Sequence, residues 1–254
     1  MALVHQPIPP FVTSRYNKSN TASSSNGVNI GIRELDVSQS THHTYMVSFY
    51  NDRIYTVVTQ TAWVVDEWIS KIYNDFHDKL DNLVVGLDCE WRVNFKKGST
   101  RNKIAVLQLC VGHQCLIFQF ACRDYIPVSL HEFLNNEKFI FVGVGVAEDG
   151  DKLFEDYGLS VARTIDLRTL AAEKLDFEEL EATGLKGLAF TVLRRDLPKP
   201  KNVTLSRWDE SFLTNRQIQY ACLDAFVSFK LGIVLMRGFK GNLYHLFSYG
   251  RNQR

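Results

Sequence analysis

Apolar and polar positions change rhythm several times along the chain, and each change marks an element. From Thr44 onward, Tyr45-Met-Val-Ser-Phe-Tyr50 and Ile54-Tyr-Thr-Val-Val-Thr59 flank Asn51-Asp52, which predicts two strands about a tight turn. Val64, Val65, Trp68, Ile69, Ile72 and Phe76 then recur at helical spacing between charged positions, the pattern of an amphipathic helix. Three strand-like runs follow, at 83–91, 104–111 and 115–120. Their short polar connections favour an antiparallel meander, because parallel neighbours need a crossover of about a dozen residues or more. Beyond them the rhythm alternates: helix near 130–134, apolar strand at 139–145, helix through 149–157, short strand near 164–167, then helix. This order predicts an α/β fold whose mixed sheet has three antiparallel strands plus parallel strands, flanked by helices on both faces.

Residues 1–42 are polar, with Ser23-Ser24-Ser25-Asn26-Gly27 at their centre. Such a segment buries too little apolar surface to offset the entropy of ordering it, which predicts a flexible N-terminal tail, although 30–35 could dock. The folded domain is expected over 43–248, with 249–254 as a C-terminal tail. No internal repeat and no second domain boundary is visible.

Composition narrows the classes. With 254 residues, 45% hydrophobic and 12% aromatic, the chain can bury a core. Lysine plus arginine number 29 against 28 acids, so there is no overall basic footprint of the kind that coats nucleic acid. Cys89, Cys110, Cys115, Cys122 and Cys222 form no CxxC pair, which predicts reduced, buried thiols and gives a zinc ribbon no support. The first residues lack the basic start and apolar core of a signal peptide. No stretch approaches the roughly 20 apolar residues that span a bilayer. The expectation is a protein of the nucleus or cytoplasm with no membrane partner.

Three stretches carry candidate chemistry. In Val84-Val-Gly-Leu-Asp88-Cys-Glu90-Trp91, alternate strand residues share a face, so Asp88 and Glu90 project together while Leu87 and Cys89 face the other way. Two like charges roughly 6–7 Å apart on a half-buried strand call for a compensating cation, and oxygen donors suit magnesium or manganese. A solvated strand edge is the competing reading. In Gly143-Val-Gly-Val-Ala-Glu-Asp149-Gly-Asp151, acids open a helix after a buried strand; complementing the helix dipole is the simpler role for Glu148, Asp149 and Asp151 alike. In Tyr220-Ala-Cys-Leu-Asp224-Ala225, Tyr220 and Asp224 stand one helical turn apart, and small neighbours let the helix approach the sheet. A core tyrosine with an incidental acid fits that stretch equally well.

Taken together, the order and spacing of these stretches resemble the three motifs of the DEDDy 3′–5′ exonucleases in the ribonuclease H-like superfamily (DnaQ-type), most nearly the Werner-type exonuclease domain. Asp88 to Trp91 is similar to the first motif, Gly143 through Asp149 and Lys152-Leu153 to the second, and Tyr220 to Ala225 to the third. Ile104 to Cys110, Leu185-Lys-Gly-Leu-Ala189 and Ser206-Arg-Trp208 also match that pattern. The resemblance covers about residues 44–246. It implies two divalent cations, Mg2+ or Mn2+, held by Asp88, Glu90, Asp149 and Asp224, with Asp88 bridging both. It also implies that Tyr220 orients the attacking water. The product would be nucleoside 5′-monophosphates from a free 3′ end of DNA or RNA.

Departures from the pattern matter. Asp151 stands where a large residue is common, so a register slip would make it the ligand; the ungapped spacing to Lys152-Leu153 favours Asp149. Arg92-Val93 follows the first motif where proline is frequent. No Gly-x-x-x-x-Gly-Lys-Ser/Thr occurs, so the resemblance is to stand-alone plant enzymes that would work with a separate helicase or RNA-silencing partner, and relatives form rings. Substrate contact is expected from Trp91, Arg92, Lys96, Lys97, Arg101 and Lys103. Lys186, Arg194, Arg195, Lys199, Lys201 and Arg207 form a second basic stretch before the third motif. A scaffold that kept the fold and lost the chemistry is the competing function, against which all four acids and the tyrosine stand.

Overall fold

The computed structural model describes residues 29–36, 41–96, 98, 100–121, 123 and 125–238, and within them eight strands form one sheet. β1 (Ile30–Asp36), β2 (His42–Phe49) and β3 (Asp52–Thr59) pair antiparallel in succession. So do β4 (Leu83–Glu90), β5 (Val106–Val111) and β6 (Gln114–Gln119), the meander expected from their short connections. β3 joins this meander in parallel at β6, while β7 (Phe139–Gly143) and β8 (Thr164–Asp166) extend it in parallel beyond β4. The strand order is therefore β1-β2-β3-β6-β5-β4-β7-β8.

β1 corrects the expectation that residues 1–42 form a tail. Ile30 and Ile32 pack against the core beside Val47 and Phe49 of β2, so this short apolar alternation is enough to seat an edge strand. Residues 1–28 and 37–40 of the tail expected over 1–42, residues 239–248 of the domain expected over 43–248, the tail expected over 249–254, Lys97 and Cys122 lie outside the described residues. The other four cysteines are buried free thiols, as expected.

Strand parity creates two cores. Val84, Ile117 and Val142 face α7 (Asn215–Met236), α4 (Leu167–Leu175) and α5 (Leu185–Leu188). Val85, Leu87, Leu107 and Phe118 face α1 (Ala62–Asp75), α2 (Val128–Leu134) and α3 (Val146–Tyr157) on the opposite side. α7 is long and apolar enough, by length and composition, to cross a bilayer, which corrects the expectation that no segment comes near that threshold. Its most apolar window is 72% buried inside the fold, so packing accounts for the composition.

The start of α7 is anchored by a capping box between Thr214 and Gln217. The Gln217 amide also donates to Ser206 Oγ at 3.0 Å, fixing the loop whose Trp208 is wholly buried. The last helical segment before α7 is the single turn α6 (Lys201–Thr204), and Trp208 Nε1 donates to its Thr204 carbonyl at 3.2 Å.

A second anchor sits on Asp52, where an arginine, a lysine and a histidine converge from separate elements. Arg195 Nη1 lies 2.5 Å from its carboxylate, His113 Nε2 2.8 Å and Lys230 Nζ 3.2 Å. The residual desolvation would raise the Asp52 pKa, but these partners hold it down at about 2. A depressed carboxylate contributes stability above its ordinary pKa and loses it as pH falls toward the depressed value. Asp52→Asn is therefore expected to cost about 2 kcal/mol in urea unfolding at pH 7, with the deficit shrinking between pH 4 and pH 2. An unchanged deficit across that window would contradict the assignment.

Candidate active site

The site exists because α7 lies directly on β4. A Cβ added to Gly86 would sit 2.0 Å from the Ala225 carbonyl oxygen and 2.7 Å from the Phe229 nitrogen, closer than any side chain permits. Glycine at this position, with Ala221, Cys222 and Ala225 fully buried opposite, lets the helix backbone touch the strand. Asp224 is thereby brought against Asp88 and Glu90, and one oxygen from each of the three lies within 4.8 Å of the others. Asp224 is 1% exposed, while Asp88 and Glu90 are partly exposed.

Asp149 arrives from a separate device. Gly145 takes φ 74° ahead of α3, a left-handed turn suited to glycine, and its N–H donates to Asp166 Oδ2 at 2.9 Å. Asp166 also caps α4 through the Arg168 N–H, so the turn is held from two sides. Asp149 then falls in the first turn of α3 and is buried, whereas Asp151 is exposed on its outer surface. The geometry sides with Asp149 between the two candidate registers. It lies outside the tight triplet, with Lys152 Nζ 3.7 Å from its Oδ1, yet its charge is felt by both Asp88 and Glu90.

This crowding shows in the protonation equilibria. Burial, then the Asp224 charge, pushes the Asp88 carboxyl well above the usual range. Burial and Asp88 raise Glu90 to about 10, and burial raises Asp149 to about 6 against the pull of Lys152. Asp224 is raised by burial too, against the pull of Lys199, whose Nζ is 2.6 Å from Oδ2. That ion pair is short but misaligned, so both Asp224 oxygens are buried without a hydrogen-bonded partner. Gln108, paired across the strands with Asp88, is fully buried with both amide atoms equally unpartnered. Buried polar groups left in this state call for a further polar occupant. Hard oxygen donors at this spacing fit a divalent cation such as Mg2+ or Mn2+.

Tyr220 lies one turn before Asp224, its ring 5.9 Å from that of Trp208, and its hydroxyl accepts a hydrogen bond from Thr204 Oγ1 at 3.3 Å. Burial and the Asp224 charge push its phenol above the ordinary value, so it stays protonated and can donate a hydrogen bond.

Comparisons with known proteins follow the same lines. The family model described as "3'-5' exonuclease" matches residues 56–237. The chain belongs to the 3′-5′ exonuclease family. A "3'-5' exonuclease" of Arabidopsis thaliana is 30% identical over 231 residues, covering 90% of this chain and 77% of that protein. The "Bifunctional 3'-5' exonuclease/ATP-dependent helicase WRN" of Mus musculus is 35% identical over 147 residues, 58% of this chain but 10% of that much longer protein. A crystal structure of the EXD2 exonuclease domain is 28% identical, covers 78% of this chain and 95% of that one, and has a TM-score of 0.43. Family membership and the mixed eight-stranded sheet agree with the ribonuclease H-like fold expected from the motifs.

For this exonuclease the basic residues divide more sharply than sequence suggested. Trp91 is partly buried with the Lys152 ammonium 4.9 Å over its ring, which links it to the Asp149 side of the site. Arg92 and Lys96 line one surface hollow with the exposed Phe95, and Arg92 reaches Asp209 at 3.4 Å. Arg101, expected at the substrate, instead spans Glu155 and Asp156 of α3 at 2.7 Å each. Lys103, likewise expected there, lies over the Tyr157 ring at 5.8 Å and near the Asp156 carbonyl. In the second stretch Arg195 turns away to Asp52 and Lys199 turns inward to Asp224, a placement that charge spacing alone could not reveal.

Two outcomes follow from this geometry. Gly86→Ala is expected to destabilise by about 3 kcal/mol by forcing α7 off β4. Gly150→Ala, whose Cβ meets only Val161 at 3.6 Å, should be near neutral. Equal effects of the two in chemical denaturation would contradict the close-approach argument. A carboxyl raised to about 6 contributes stability below its ordinary pKa that is lost as pH rises through 6. In chelator, Asp149→Asn should therefore flatten the fall in Tm between pH 4 and pH 6, and an unchanged slope would count against it.

Proposed function

We propose that this exonuclease removes nucleoside 5′-monophosphates one at a time from the 3′ end of DNA or RNA, using two divalent cations, Mg2+ or Mn2+, held by Asp88, Glu90, Asp149 and Asp224. The observation that carries the reading is the convergence of Asp88, Glu90 and Asp224 from two elements within 4.8 Å, on a site whose buried Asp224 carboxylate is met by the Lys199 ammonium. A site that had lost its chemistry would be under no pressure to keep so costly an arrangement, which weighs against the scaffold reading.

Bound there, divalent cations would polarise the scissile phosphate, favour a hydroxide nucleophile and stabilise the departing 3′ oxygen. The chain supplies the rest. Asp88 and Glu90 present their carboxylates side by side from the end of β4, and Asp224 faces them from α7. Tyr220, kept protonated, donates its phenolic hydrogen to orient the attacking water, and Thr204 and Trp208 fix its ring. The hollow lined by Arg92, Asn94, Phe95 and Lys96 follows directly from β4 and offers backbone-phosphate contact together with an aromatic face. None of these contacts distinguishes deoxyribose from ribose, so both polymers are substrates in this reading.

The test is digestion of matched 5′-labelled DNA and RNA strands with Mg2+ or Mn2+. The expected result is a ladder shortening from the 3′ end, with nucleoside 5′-monophosphates as products. Asp88→Ala should lower the rate by about 10³-fold or more, and Tyr220→Phe by roughly 10–100-fold. Failure of the wild-type protein to shorten either polymer, or full activity in Asp88→Ala, would overturn the proposal.

A further inference from the structure

Acids gathered this closely draw a countercharge wherever they are ionised, even in the protein with no metal bound. The chain provides one. Lys199 lies between Pro198 and Pro200 just before α6, and its Nζ is 2.6 Å from Asp224 Oδ2 and 5.1 Å from the centre of the Tyr220 ring. Asp88 adds its charge to that of Asp224 in attracting this ammonium. The two prolines restrict the backbone on either side, so the inward reach is set by a stiff segment rather than by a wandering loop.

Exposure and alignment say what kind of contact this is. The Lys199 side chain is 29% exposed and that of Asp224 1%, so the lysine enters from the solvent side while the acid forms the floor. Neither Asp224 oxygen gains an aligned hydrogen bond from the encounter. Charge holds the ammonium in place, and the carboxylate is left open to a better-coordinating partner. Lysine suits such a role because its charge is compact and its four-carbon stem can swing without moving the backbone.

We propose that Lys199 is a positioning residue that takes the place of the divalent cation: its ammonium holds Asp224 beside Asp88 and Glu90 in the metal-free protein and leaves the cluster when metal binds. The inference rests on the metal-binding reading above. The Lys199 ammonium sits on Oδ2, one of the two Asp224 oxygens open to a metal, so metal uptake through that oxygen competes with this pair. The acids alone would bind metal more tightly than the intact site does. In return the Asp224 carboxylate keeps a countercharge in the metal-free protein.

The experiment measures Mn2+ uptake by electron paramagnetic resonance of the free ion, and thermal unfolding in chelator, for the full chain and for Lys199→Met. The variant is expected to bind Mn2+ roughly tenfold tighter and to unfold about 4 °C or more below wild type in chelator, with the gap closing at saturating Mn2+. Equal affinity together with equal metal-free stability would overturn the proposal while leaving the metal reading intact. If neither protein takes up Mn2+, the metal reading falls and the proposal with it. A measurement on the wild-type chain guards against a variant that does not fold: acylation of lysine amines followed by mass spectrometry. Labelling of Lys199 relative to the exposed Lys79 should rise when Mn2+ is added. Labelling that does not change would contradict the proposal.

Discussion

Everything at this site depends on the distance between one helix and one strand. α7 can touch β4 only because Gly86 has no side chain and the facing residues of α7 are small. Gly232, further along the same helix, repeats the arrangement against Val142 and Val84, where a Cβ would come within 2.9 Å. These contacts set α7 flat on the sheet over a long stretch. Asp224 is then delivered to Asp88 and Glu90 by the backbone, without needing a flexible side chain to reach. Packing that is apolar along most of its length has been arranged to concentrate negative charge at one end.

Charge elsewhere in the domain is handled cluster by cluster. A net charge of +1 suggested no preference for an anionic partner. The structure shows that the figure averages over separately neutralised clusters. Arg195, His113 and Lys230 are drawn to Asp52, Arg101 to Glu155 and Asp156, and Lys199 to Asp224. Many of the basic residues are therefore occupied within the fold. Arg92, which also reaches Asp209, and Lys96 line an exposed hollow that follows β4.

Most of the fold was legible from local pattern, because strand alternation and helical periodicity act over a few residues. The meander of β4 to β6, the apolar strand β7 and the acids on one face of β4 all follow from that rule. The small residues of α7 were readable as a close approach, although the glycine that receives them was not singled out. Harder to see were relations between distant segments. The pairing of β3 with β6 depends on α1 carrying the chain past two later strands, and β1 depends on a hairpin that accepts two isoleucines. Lys199 lies 25 residues before Asp224 in a run of similar charges, and nothing in that spacing distinguishes an inward lysine from a solvated one.

The central claim is that Asp88, Glu90 and Asp224, with Asp149 beside them, form a divalent-cation site. The most direct measurement is an anomalous difference map from crystals of the wild-type protein soaked in Mn2+. The account predicts strong peaks within coordination distance of the Asp88, Glu90 and Asp224 carboxylates, about 2.0–2.3 Å from their oxygens. A map with Mn2+ bound elsewhere, or with none at these acids under conditions where the enzyme is active, would contradict it.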